Sequence, residues 1–258
     1  MKTKNIIIGI VLAFILSSCG TEFKLANQFI GQSSDVQVAV YFPEEAKVSL
    51  IQDSDGTYTK VLDSLNQDAF LDIMYAAYAD ELGRYKLNVY IPDDPDAVQV
   101  DSTHWLVLLS QVEIQGLFTD YVDELYDFVD VYTYTHPLNT VNVASWFDVN
   151  DGEWRPTLFD EYNLTDEFSS HVSYSRQDGT QYHYNITPLK LKDIYDFAVF
   201  LGKRYAAFTY DYMMNRYVET GMAAKQQVPR FKLRWDPYEK LYSFQMEDEG
   251  FIELRSEE

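Results

Sequence analysis

Apolar and polar positions alternate from Val36 to Phe42 and stop at Pro43, the period of a half-buried strand. Val48 to Leu62 reads as a hairpin turning at Asp55-Gly56. Ser64 and Gln67 have the spacing of a capping box, and Asp68 suits the positive end of the helix that follows. Phe70, Ile73, Met74, Ala77 and Leu82 then recur at helical spacing until Gly83. Leu87 to Ile91 is a second strand, ended by Pro92. A strand, helix and strand at this distance predict a right-handed crossover joining a parallel pair. Trp105 to Ile114 begins wholly apolar and then alternates, as a strand leaving the core does.

From Phe128 to Tyr184 the pattern is almost entirely that of strands. Phe128 to Thr135 and Val141 to Val149 read as two strands meeting at His136-Pro137, and Asp151-Gly152 and Asp178-Gly179 as hairpin turns. A two-residue turn at the first sets Asp148 opposite Arg155. At the second it sets His183 opposite Tyr174 and leaves His171 three rungs further along. Thr187-Pro188 opens the longest helix, with Thr as cap and Pro in the first turn. Its apolar stripe is Ile194, Ala198, Leu201, Tyr205, Phe208 and Tyr212, running toward Glu219. Gly202 inside it either admits a neighbouring strand at close range or kinks the helix. Phe231 to Trp235 with Leu241 to Met246 make a last hairpin. Together these predict an α+β fold: a mixed, mostly antiparallel sheet, an early strand-helix-strand crossover, and a long helix in the C-terminal half covering one face. Residues 35–258 form a single domain on this reading.

The amino terminus has a different pattern. Lys2 and Lys4 precede an unbroken apolar run from Ile6 to Leu16. As a helix that run rises about 16 Å, short of the roughly 30 Å hydrocarbon core, so it reads as the apolar region of a signal peptide. Leu16-Ser17-Ser18-Cys19 follows, then Gly20. This resembles the bacterial lipobox, which implies a signal peptide over 1–18, lipidation of Cys19, and a tether over 19–34. The alternative is a plain secretory signal with a chance cysteine. Gly20 in place of Asp favours the outer membrane by analogy; whether the anchor faces the periplasm or the cell surface stays open.

The 258 residues are 47% hydrophobic, which excludes wholesale disorder. With 41 acidic against 20 basic residues the formal charge is −21, unsuited to nucleic acid, whose binding runs on Lys and Arg. Loss of residues 1–18 would remove two lysines and no acid, so the charge would become −23. Such a body is repelled by anionic headgroups. One cysteine cannot close an intramolecular disulfide. No two glycines are close enough for a Gly-rich phosphate loop or a GxSxG elbow.

The histidines, His104, His136, His171 and His183, have no local zinc spacing and read as ordinary strand residues. Asp93, Asp94, Asp96 and Asp101 are either calcium ligands or a solvated acidic loop. Asp120, Asp123, Glu124, Asp127 and Asp130 offer carboxylate pairs, but 41 acids supply such pairs by chance. No catalytic residue, metal site or cofactor is therefore assigned. The unusual feature is 21 tyrosines within 16% aromatic residues. They are either core and strand formers or a surface for a partner or sugar. Tyr210 and Tyr217, off the main stripe, and Tyr132 and Tyr134 are the candidate partner or ligand surface.

Over Val36 to Ile114 the element order looks like the small α+β domains of envelope lipoproteins of the curli-secretion and TolB amino-terminal type. Leu201-Gly202-Lys203-Arg204-Tyr205-Ala206 with Tyr210-Asp211-Tyr212-Met213-Met214-Asn215 is similar to uncharacterised Bacteroidetes-type outer-membrane lipoproteins, over most of the mature chain. That resemblance implies an anchor and a compartment, and brings no catalytic residues. The expectation is a non-enzymatic, lipid-anchored accessory or scaffold subunit of an outer-membrane or envelope assembly, with an envelope protein as partner. A surface module for a glycan or other polar ligand is the alternative, and an acidic hydrolase a third reading.

Overall fold

A computed structural model describes residues 20–51, 60–127, 130–177, 179–222, 232–246 and 250–254. The order is α1 (20–32), β1 (Gln37–Tyr41), β2 (Lys47–Leu50), α2 (Gln67–Arg84), β3 (Asn88–Tyr90), β4 (His104–Asp127), β5 (Asp130–Asn150), β6 (Thr157–Thr165), β7 (Glu167–Ser175), β8 (Gly179–Thr187), α3 (Leu191–Gly221), β9 (Leu233–Asp236), β10 (Leu241–Phe244) and β11 (Ile252–Leu254). The main sheet runs β11-β6-β5-β4-β1-β3, with β2 also paired to β4. β1 is parallel to β3 and β4, and the β4-β5-β6-β11 side is antiparallel. The α+β class, the parallel pair flanking α2, the long α3 and the β9-β10 hairpin all agree with the sequence pattern.

One face of the sheet carries the helices and most of the core, and the other mixes polar side chains with a few apolar ones such as Leu106, Trp146 and Phe159. β4 starts wholly apolar because Leu106 is buried on one face and Trp105, Val107 and Leu109 on the other. A register irregularity at Ser110 then shifts the inward positions. Trp105, Val107 and Leu109 are buried before it and Val112 and Ile114 after it, so the inward positions change from odd to even numbers. The extra residue of a bulge keeps one face toward the core through that change. Outward, Lys47 donates to Glu113 (2.6 Å) and Asn142 to Glu161 and Asn163 (2.6 and 2.7 Å).

Over the apolar face lie α2 and α3. Tyr205 packs edge-on to Phe147 of β5 (5.0 Å), and Tyr78 stacks on the same ring (6.5 Å). Gly202 admits helix α2, not a strand, at close range: a Cβ there would stand 2.3 Å from the Met74 carbonyl oxygen and 2.9 Å from Ala77 Cβ. α3 is buried beyond its predicted stripe, at Phe197, Ala206, Tyr210, Met213, Met214 and Val218, because α1 and β9 also pack around it.

Several local expectations are corrected. Asn66, not Ser64, caps α2, its Oδ1 accepting from Ala69 N (3.0 Å). Residues 61–64 form turns, and the Asp55-Gly56 hairpin tip lies outside the described residues. Thr187 stays in the ladder opposite Glu167, so α3 starts only at Leu191, with Asp193 accepting from Lys190 N (2.9 Å). β5 runs unbroken through His136-Pro137. Its β6 pairing ends at Thr140, so a residue without an N–H falls where only β4 is a ladder partner. Asp148 faces Thr157, whose hydroxyl donates to it (2.7 Å), because the β5-β6 connection is longer than two residues.

The segment expected to be a tether is helical over 20–32 and takes part in the core. Ala26 and Phe29 are buried, and Phe29 packs on Tyr210 and Tyr217 (5.4 and 5.6 Å). Cys19 and the signal segment lie outside the described residues.

Candidate functional site

β4 and β5 continue well past the sheet they help to form. Beyond Leu117 and Thr140 they pair only with each other, down to Asp127 opposite Asp130. Ten residues a side at roughly 3.3 Å each make an arm on the order of 33 Å long. Tyr121, Asp123, Leu125, Tyr132, Tyr134 and His136 share one face of it by register.

The β7-β8 hairpin lies against that face. Tyr182 stacks on Tyr134 (4.1 Å, 5° between planes), Phe168 packs on Tyr121 (4.5 Å) and His136 (4.9 Å), and Tyr184 on His136 (4.3 Å). A polar knot ties the two hairpins together. Asp123 Oδ2 accepts from Ser170 Oγ (2.5 Å) and Tyr182 Oη (2.7 Å), and His136 Nε2 lies 3.1 Å from the same Tyr182 oxygen. Those bonds hold the Asp123 carboxyl below the usual range, and burial followed by the Asp123 bond pushes the Tyr182 hydroxyl up to about 12.

The aromatic face continues past this knot without cover. Tyr132 is 46% exposed and Tyr174 76%, with Val172 also exposed, while Tyr126 and Val131 are exposed on the opposite face of the β4-β5 arm. On that opposite face Glu124 accepts from Tyr126 Oη (2.5 Å). Exposed aromatic side chains are enriched at binding surfaces, and nothing in the core requires them there.

Of the four tyrosines singled out from sequence, Tyr132 and Tyr134 belong to this arm, Tyr134 in the stack and Tyr132 beyond it. Tyr210 is corrected: it is 1% exposed, stacked on Tyr85 (4.3 Å), its hydroxyl 3.1 Å from Ser33 Oγ. It is off the stripe facing the sheet but inside the contact with α1. Tyr217 is half-buried and lines a recess of about 390 Å³ with Trp105, Asp151 and Arg216. Sequence reasoning missed Phe168, Tyr174, Tyr182 and Tyr184. Their alternation over 168–174 and 180–186 was a usable signal, but it does not name the surface they meet.

Other recesses among the described residues could also take a ligand. Tyr162, Phe197 and Phe200 line an open groove of about 660 Å³ beside Asp193 and Asp196. Asp93, Asp94, Asp101 and His104 line a shallower recess. There Asp101 Oδ1 accepts from Thr103 N, Thr103 Oγ1 and His104 N, which holds its pKa at about 2, and Asp94 caps Asp96 N. The acidic loop thus uses two of its carboxylates on its own turns. Among the described residues no group of three or more His, Cys, Asp or Glu side chains is placed to hold a metal ion.

No protein-family model matches the chain, and no curated protein does. A solved structure described as that of a neuraminyllactose-binding hemagglutinin homolog from Helicobacter pylori is 8% identical, over 73% of this chain and 90% of that one, with a TM-score of 0.39. A likeness of that size assigns neither fold nor ligand. No described helix is long and apolar enough to cross a membrane.

Proposed function

We propose that this chain is a non-catalytic lipoprotein, held at the outer membrane through Cys19, that docks its two-hairpin arm onto a protein of an envelope assembly. The observation that carries this is the aromatic face of the arm, continuing uncovered past the Asp123–Tyr182 knot to Tyr132 and Tyr174. A formal charge of −21 calls for a partner with a basic face, and makes association fall with added salt. The anchor rests on the resemblance of Leu16–Cys19 to the lipobox.

A photo-crosslinking residue at Tyr132 or Tyr174, compared with one at the solvent face of α2 (Asp68), tests the docking site in cells. The expected result is one envelope protein captured from both arm positions and not from Asp68, with Tyr132→Ala weakening capture about tenfold, the size of a modest interface anchor. Equal labelling from all three positions, or none, refutes the arm as the docking site. Cys19→Ala is expected to abolish processing and palmitate labelling; equal labelling of both forms overturns the anchor.

A second reading places a glycan in the groove of Tyr162, Phe197 and Phe200, supported by aromatic faces next to the Asp193 and Asp196 carboxylates. A glycan array tests it. Binding lost in Phe200→Ala supports it, and an array without any hit removes it.

A further inference from the structure

The β7-β8 register brings together two histidines that a two-residue turn would keep three rungs apart. The last pair is Ser175 with Gly179, which leaves three residues in the connection; Asp178 among them lies outside the described residues. His171 therefore stands directly opposite His183. Both are exposed, on the face turned away from Phe168, Tyr182 and Tyr184. Their rings lie 4.9 Å apart between centroids, 18° from parallel.

We propose that His171 and His183 form a two-histidine site for a divalent transition-metal ion of the Zn²⁺, Ni²⁺ and Cu²⁺ class. The spacing carries the argument. An imidazole nitrogen sits about 2.0–2.1 Å from such an ion and the ring centre about 1.1 Å further out, so two imidazoles on one tetrahedral ion have centres about 5 Å apart. The observed separation matches, and ring rotation at the end of exposed side chains turns the nitrogens toward a shared ion without moving the strands. Ser173 Oγ lies 2.8 Å from His183 Nε2. With the Nε2 proton given to that oxygen, the lone pair of His183 is on Nδ1, the way an outer oxygen fixes the tautomer of a ligating histidine.

The surroundings select the class of ion. The flanking rungs on this face are Ser169 with Asn185 and Ser173 with Gln181, with no carboxylate on either, so hard cations such as Ca²⁺ find no charged oxygen ligands there. Two imidazoles suit borderline metals, and water completes the coordination. The site does not depend on the docking surface of the arm, which lies on the opposite face of the β7-β8 ribbon.

The experiment uses the detergent-purified, lipidated protein, titrated with Cu²⁺ and Zn²⁺ by calorimetry, with Ca²⁺ alongside. Electron paramagnetic resonance counts the nitrogen ligands of the copper. Saturable one-to-one binding is expected, with two imidazole nitrogens in the spectrum and no heat from Ca²⁺. His171→Asn and His183→Asn should each weaken Cu²⁺ binding by about tenfold or more, at least what losing an outer-shell partner costs. His104→Asn should change nothing. Non-saturable binding, a spectrum with one nitrogen, or affinity unchanged in His171→Asn and His183→Asn overturns the proposal. Circular dichroism of both variants establishes that the hairpin is still folded when the loss is read.

Discussion

Gly202→Ala tests the closest approach in the core. The new Cβ would stand 2.3 Å from Met74 O, 2.9 Å from Ala77 Cβ and 3.0 Å from Tyr78 N, and two of these three are backbone atoms that cannot rotate away. An ordinary carbon-to-carbonyl approach is about 3.3 Å or more, so α2 and α3 must part by roughly 1 Å. A gap of that size forfeits between a quarter and a half of each affected contact, and overpacking of this kind costs about 1–3 kcal/mol. It also lengthens the bond from Tyr78 Oη to Thr209 Oγ1, now 2.9 Å in a fully buried site, at a cost of about 1 kcal/mol. Alanine's better helix propensity offsets about 1 kcal/mol. The net expectation is about 1–3 kcal/mol of destabilisation, a fall in melting temperature of about 2–12 °C for a chain of this size. Gly83→Ala is the control. It lies in α2 with nothing within 4 Å of its added Cβ, so it should gain about 0.5–1 kcal/mol. Urea titrations of both, with melting curves, give the comparison. A Gly202→Ala protein as stable as the parent would refute the close helix contact.

The remaining predictions concern the ionic and arm contacts. Asp151 is partly buried, which alone would raise its pKa. The bond from Arg216 Nε (2.9 Å) and the N–H groups of Trp154 and Glu153 outweigh that and hold it below the usual carboxylate value. A depressed carboxylate stabilises above its unfolded pKa and loses that contribution as pH falls through its folded pKa. Asp151→Asn should therefore cost about 1–2 kcal/mol at pH 7, with the gap to wild type narrowing below pH of about 4 in paired urea titrations. A gap of constant size across that range sinks the assignment. Tyr182→Phe removes the bond to Asp123 and should loosen 167–187 by about 1 kcal/mol in hydrogen exchange, leaving the exchange of α2 and α3 unchanged. Faster exchange throughout those helices would mean that the hairpin belongs to the core and not to an appended arm.

Periodicity made the α+β class legible, because it reports which side of each element is apolar. The strand-helix-strand order around α2, the long α3 and the β9-β10 hairpin follow from 3.6 and 2 residue repeats and their breaks. Capping positions slipped by a few residues because several side chains near each helix start can serve. Asn66 reaches Ala69 N where Ser64 was expected, and Asp193 reaches Lys190 N while Thr187 is retained by β8.

What periodicity leaves open is which surface covers an apolar side, and how many residues a turn takes. The residues of α3 determined a helix, and the tertiary structure decided that Tyr210 is enclosed by Phe29 and Tyr85 and that Gly202 meets a helix. The alternation of 168–174 and 180–186 determined two strands. Only the folded chain decided that their aromatic side covers the β4-β5 arm, and that a three-residue connection sets His171 against His183. The reason is physical: side-chain pattern is a property of neighbours along the chain, whereas cover and register depend on loop length and on partners distant in sequence.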